Sequence, residues 1–189
     1  MSVTNHASVP SQPIPEQQSR RALDPPATAV TLLTNDLLVQ AQNYARSSNR
    51  SRVILPLHKS AGDSLHRMFN AMEPGTYVQP HRHSSPPKAE SIVVLTGAIC
   101  FVMFDEQGNV KLMHDVVAGT STFGIDIEAG VYHTFFPLVS GTVVFEAKPG
   151  PYAAADDKDF ADWAPKEGSP DVAGYLEMLG HLREKMGKQ

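Results

Sequence analysis

His81, His83, Glu90 and His133 constrain the fold of this chain more than any other feature, because no single segment can bring them together. Alternate residues of a strand point to the same face, so His81 and His83 converge on one place. A carboxylate seven residues beyond His83 must arrive from the next strand, and His133, some fifty residues later, from a third. Three imidazoles and a carboxylate suit one divalent transition metal ion, among Mn, Fe, Ni, Zn and Cu. Three strands ending at one point call for a β-barrel.

The 189 residues fit one domain with appendages, and an apolar fraction of 41% is enough for a core. The net charge of -4 argues against nucleic acid as a partner, since neutralising phosphates needs a basic surface. No apolar run approaches the ~18 residues of a membrane span. The opening stretch lacks the apolar centre of a secretory signal, and the single cysteine, Cys100, allows no intrachain disulfide. The expected setting is cytoplasmic, with a small molecule rather than nucleic acid or membrane as partner.

Residues 1–28, rich in Pro, Ser and Gln, hold too little apolar surface to offset ordering and are expected to be disordered. A helical segment spans 29–50, with Thr34 or Asn35 as N-cap and Leu37, Leu38, Ala41, Tyr44 and Ala45 at helical spacing. Residues 51–149 read as short strands separated by turn residues, including a strand over 76–80. Regularly spaced strands without intervening helices indicate a sandwich or jelly roll. An irregular segment, 150–168, then packs on the barrel. Its Tyr152, Phe160 and Trp163 either cover the barrel mouth or seal an open edge. The final helix, 169–189, has Ser169 as N-cap, Pro170 at N1 and a stripe of Val172, Tyr175, Leu176, Leu179, Leu182 and Met186. That stripe packs on its own barrel or, alternatively, on a second copy in a homodimer. The expected class is therefore mainly β, a double-stranded β-helix (jelly roll) with a helix at either end.

Gly75-x5-His81-x-His83-x6-Glu90-x6-Gly97 resembles the first cupin motif, with a longer His-to-Glu gap than usual. The second cupin motif is reduced to Gly130-x2-His133, with Glu128 and Pro137 where a proline and an asparagine are customary. The stretches HRHSSPPKAE, FDEQG, GVYH and EAKPGPY…DKDFADWAP resemble the WbuC family of cupin-fold metalloproteins, over residues 37–165. That resemblance implies a small metal-binding jelly roll whose relatives are often encoded in O-antigen and surface-polysaccharide clusters. It supplies no reaction.

Around the histidines, Glu90 reads as the fourth ligand or as an acceptor for Lys88, which shares its strand face. Tyr77 and Gln79 precede His81 at steps of two and are expected to face the same cavity. Tyr77 and Lys88 are the candidate catalytic groups. Gln79 and Arg67 are the candidate substrate contacts, the arginine as a clamp for a phosphate or carboxylate. His58, His66, His114 and His181 have no ligand spacing and read as structural or exposed, His58 being the one to inspect near the site. Glu146, the lone acid in VVFEA, reads as outward-facing, and Cys100 as a buried apolar residue.

These residues favour a metal-dependent enzyme acting on a small polar molecule such as a sugar or sugar nucleotide, with Fe, Mn, Ni or Zn polarising a carbonyl or activating water or dioxygen. A non-haem iron oxygenase fits the same ligands. A cupin that only binds a metabolite or metal is the third reading. An isomerase or epimerase would need a base: Tyr77, or Glu90 if it does not bind metal.

Overall fold

The computed structural model describes residues 20–153 and 158–186. Its elements are α1 (Asn35–Ser47), β1 (Arg52–Pro56), β2 (Leu65–Met72), β3 (His81–Arg82), β4 (Glu90–Thr96), β5 (Ala98–Phe104), β6 (Val110–Val117), β7 (Gly124–Ile127), β8 (Tyr132–Pro137), β9 (Thr142–Pro149), β10 (Asp159–Phe160) and α2 (Val172–Met186). One sheet has the order β1-β2-β9-β4-β7 and the other β10-β3-β8-β5-β6. The chain crosses repeatedly between them, so β2 to β9 form the two interleaved four-stranded sheets of a jelly roll. The expected fold class is the one that forms.

Pleating decides what fills the barrel. Along β4, Glu90, Ile92 and Val94 are buried and Ser91 is exposed. Along β8, His133 and Phe135 share the inward face by the same rule. Ile92, Val94, Ile99, Phe101, Phe135 and Val144 pack together between the sheets, each worth about 1.5–3 kcal/mol in burial. Glu90 and His133 continue these inward rows by one more step. One end of the barrel is thus an apolar plug, and it holds the polar end in register.

The outer faces are covered too. Ala41 and Ala45 of α1 pack on Val53, Leu55, Phe69, Ala71 and Val143. Thr34 occupies the N-cap with extended backbone but makes no side-chain cap bond. Leu179 of α2 is buried against Cys100, Val102, Phe104 and Met113, so the apolar stripe packs on its own barrel while its end, Met186, is exposed. Ser169 Oγ accepts from the Asp171 amide at 3.2 Å, a cap three residues ahead of Val172, where the regular helix begins. Trp163 packs on Phe104 and Tyr132, at 4.9 and 5.8 Å between centroids.

Three expectations need correction. Residues 76–80 form no strand; the ladder begins at His81. Residues 20–28 are not an undocked tail: Ala22 bridges Ile54 in parallel, Leu23 donates to the Ile54 carbonyl at 2.8 Å, and Leu23 is buried beneath α1. Residues 1–19 lie outside the described part. The short β10, pairing with β3, gave no periodic signal. No helix among the described residues is long and apolar enough to cross a membrane.

Candidate metal centre

β3 and β8 run antiparallel with His81 and His133 as register partners. His83 follows β3 by one residue, and Glu90 opens β4 on the facing sheet. All four side chains are buried, and one ligating atom from each lies within 4.8 Å of the others. His83 Nε2 and His133 Nε2 stand 3.4 and 3.3 Å from Glu90 Oε2. On the far side of the rings, His81 Nδ1 meets the Gln79 carbonyl and His133 Nδ1 the Val131 carbonyl, each at 2.9 Å. With the proton on Nδ1, those bonds fix the tautomer and turn the Nε2 lone pair inward.

Glu90 Oε2 and His133 Nε2 are buried without a hydrogen-bond partner. Orphaned polar atoms of this kind cost about 1–3 kcal/mol each. One cation among them satisfies both, and the donor set of three nitrogens and a carboxylate oxygen suits one divalent transition metal ion. Burial works to raise the Glu90 carboxyl, but His133, His83 and Lys148 outweigh it and hold the group well below the usual carboxylate range. Burial, with Lys158 and His133 acting the same way, keeps the His81 imidazole well below its ordinary value. Both shifts leave the ligands in the forms a metal requires.

His81 and Glu90 open onto a cavity of about 380 Å³ whose walls come from β2, β9, β10 and the segments beside them. Gln79 lines it. Its backbone, rather than its amide, orients His81. Tyr77 does not line it: without a strand over 76–80 there is no pleat to align the two residues, and Val78 takes the wall position instead. The Tyr77 hydroxyl donates to the Pro165 carbonyl at 2.7 Å, and its ring meets Tyr175 of α2 edge-on. Lys88 is buried, but its ammonium donates to the Pro151 carbonyl at 2.8 Å and is not part of the cavity wall. Arg67 is exposed, because His66, Met68 and Asn70 take the inward positions of β2.

Other polar groups face the cavity, among them Glu146, which the sequence places outward, and Lys148 and Lys158, which carry no periodic signal. Glu146 is buried, points inward, and accepts from Asn70 Nδ2 at 2.9 Å. Burial first, and Glu90 second, raise its carboxyl above the ordinary value. Lys148, two residues on, has its ammonium 4.0 Å from Glu90 Oε1. Lys158, ahead of β10, is pushed down to about 8 by burial and then by Lys148. His58 and His66 stack at 4.0 Å, and both line the cavity. At the rim Arg52 donates to Thr76 Oγ1 at 3.1 Å and to Glu167 at 2.9 Å. Tyr152 and Phe160 contribute apolar wall to the cavity, whereas Trp163 lies outside the barrel on Phe104 of β5 and Tyr132 of β8, interior strands of their sheet, rather than on an open edge.

The family that matches the chain, over residues 33–116, is described as a domain of unknown function, DUF6016. No curated protein matches. Among solved structures, the S161A mutant of Bacillus subtilis oxalate decarboxylase is 19% identical with a TM-score of 0.43, covering 61% of this chain and 29% of that one. The chain thus spans under a third of that enzyme's length. A conserved Streptococcus pyogenes protein of unknown function is 13% identical with a TM-score of 0.47, covering 70% and 96%. KdgF from a Halomonas species is 14% identical with a TM-score of 0.41, covering 55% and 82%. Strand order, rather than these similarities, establishes the jelly roll.

Proposed function

We propose that this metal-binding barrel is an enzyme acting on a small polar molecule, a sugar or sugar nucleotide of surface-polysaccharide metabolism. One observation carries the reading. The tail stretch that resembles the WbuC family, EAKPGPY…DKDFADWAP, contributes Glu146, Lys148, Tyr152, Lys158 and Phe160 to the wall of the cavity beside the ligand cluster. A centre serving structure alone would be closed and surrounded by apolar side chains. This one adjoins a chamber of small-ligand size with charged walls.

His81, His83, Glu90 and His133 would hold the ion, which supplies Lewis-acid polarisation of a bound oxygen. The base that isomerisation or epimerisation needs is then Glu146: Tyr77 faces away and Glu90 belongs to the ligand cluster. Asn70 orients the Glu146 carboxylate, leaving its second oxygen to take a proton from carbon beside the polarised group. Burial favours the protonated product of that step.

The test is proton exchange. Metal-loaded protein incubated in D2O with D-fructose 6-phosphate, and separately with a nucleotide-linked 4-keto sugar, is expected to wash deuterium into one of them at the carbon beside its carbonyl, seen by proton NMR. Glu146→Gln should remove the exchange and keep the metal. No exchange with either compound, alongside iron as the resident metal and dioxygen uptake on adding them, would move the reading to a non-haem iron oxygenase.

A further inference from the structure

The sign of the cavity is opposite to that of the molecule. The chain carries a net charge of -4. Yet Arg21, Arg50, Arg52, Lys148 and Lys158 line the cavity against three carboxylates, those of Glu90, Glu146 and Glu167. Glu167 is spent at the rim, where it accepts from Arg50 at 2.7 Å and from Arg52 at 2.9 Å. Glu90 belongs to the ion cluster. A divalent ion held there adds two positive charges at the cavity floor.

Lys148 and Lys158 matter most because of where they stand. Lys148 comes from β9, its ammonium 4.0 Å from a Glu90 oxygen, so it reaches the immediate neighbourhood of the ion. Lys158 comes from the segment before β10 and interacts with Lys148, Glu90 and Glu146. Two ammonium groups near each other and near a metal repel strongly where water is scarce. Cations gathered around one cavity repel each other less when an anion lies among them.

The geometry points to an anionic small molecule as the occupant of this cavity, its acidic group lying between Lys148 and Lys158 while a neighbouring oxygen reaches the metal ligand cluster. This rests on the metal-dependent reading above and narrows it from polar substrates to those carrying a carboxylate or phosphate close to the reacting carbon. Sugar acids and sugar phosphates share that chemistry, whereas uncharged sugars lack it.

The test uses three compounds of similar size: D-gluconate, D-glucose 6-phosphate and D-glucose. Each is titrated calorimetrically into full-length protein, metal-loaded and metal-free, in low salt. At least one anion is expected to bind ten-fold or more tightly than glucose, and the tighter anion separates carboxylate from phosphate. Its affinity should fall as salt is raised. Lys158→Met and Lys148→Met should each weaken it ten-fold or more, and Lys158→Arg should restore most of the loss. Equal binding of glucose and the anions, no binding of either anion, or wild-type anion affinity in Lys158→Met with its melting temperature intact would overturn the inference. Metal analysis of the same samples keeps the two readings apart. Metal without anion binding removes this inference alone. Lysine-dependent anion binding in a protein that takes up no metal removes the metal-dependent reading alone.

Discussion

Glu146 and Glu90 face one cavity from neighbouring strands, yet their surroundings push their carboxyls in opposite directions. Glu90 meets two imidazoles and Lys148 and is held low. Glu146 is buried beside that negative charge and is raised, with Lys148, Asn70 and Lys158 only partly offsetting the effect. In the proposed reaction this separation would keep Glu90 as the anion of the ligand cluster and let Glu146 carry the proton.

A raised carboxyl has a defined consequence for stability in the metal-free protein. Its contribution is fully present below the unfolded value, near 4.5, and is lost as pH rises through the higher folded value. Glu146→Gln keeps an acceptor for Asn70 but cannot ionise. We expect chelated wild type and Glu146→Gln to melt together near pH 4, and the variant to melt higher at pH 7. Thermal melts across that range check it. A constant gap at all pH values would mean that Glu146 is not raised.

Metal binding gives the second prediction. An ion that binds only the folded state stabilises by mass action, by about 2.7 kcal/mol at a hundred-fold excess over Kd. Chelation should therefore lower the melting temperature of wild type by several degrees. His81→Ala combined with His133→Ala should abolish the response to Mn, Ni or Zn. In a metal-soaked crystal the His81, His83 and His133 nitrogens are expected at ~2.0–2.3 Å from the ion. Imidazoles that stay apart after soaking would remove the centre.

The ligands were legible because they obey rules a sequence displays. His81 and His133 carry the spacing and turn glycines of a motif, and Glu90 sits one inward step before Ile92. Glu146 was not legible. Val143, Val144 and Phe145 precede it, and both faces of β9 are apolar there, because α1 covers the outer face and the core fills the inner one. With no polar alternation, parity gives no direction; only the known inward position of Val144 assigns Glu146 and Lys148 to the cavity. Tyr77 is the converse case: steps of two carry direction only along a pleated strand, and residues 76–80 have no pleat. Lys158 lies in a stretch without periodicity, where only the tail motif marks it.

Gly97 offers a third, purely structural prediction. It turns the chain from β4 into β5 at φ +78, and an added Cβ would stand 2.4 Å from Thr142 Oγ1. Thr142 cannot retreat, because its hydroxyl donates to the Val139 carbonyl at 2.8 Å and its backbone belongs to β9. Gly97→Ala should cost at least about 1–2 kcal/mol from the left-handed backbone alone, before the clash. Denaturant midpoints measure it, and a neutral result would show that the β4–β5 turn is not built as described.

The last prediction concerns the first residues of the described chain. Leu23 is 6% exposed and packs with Phe69 and Ala41, and its segment extends the edge of β1 through Leu23 to Ile54 and Ile54 to Arg21, at 2.8 and 3.2 Å. Arg21 and Ala22 also line the cavity. Removing the segment loses those bonds and the leucine, but also spares the entropy of ordering it, so a single substitution gives the cleaner reading. Leu23→Ala is expected to cost about 2–3 kcal/mol, which is roughly 5–10 °C in a domain of this size. A chain beginning at residue 29 should melt lower than one beginning at residue 20. If the chain from residue 29 keeps the full melting temperature and Leu23→Ala is silent, the edge pairing contributes nothing to the fold.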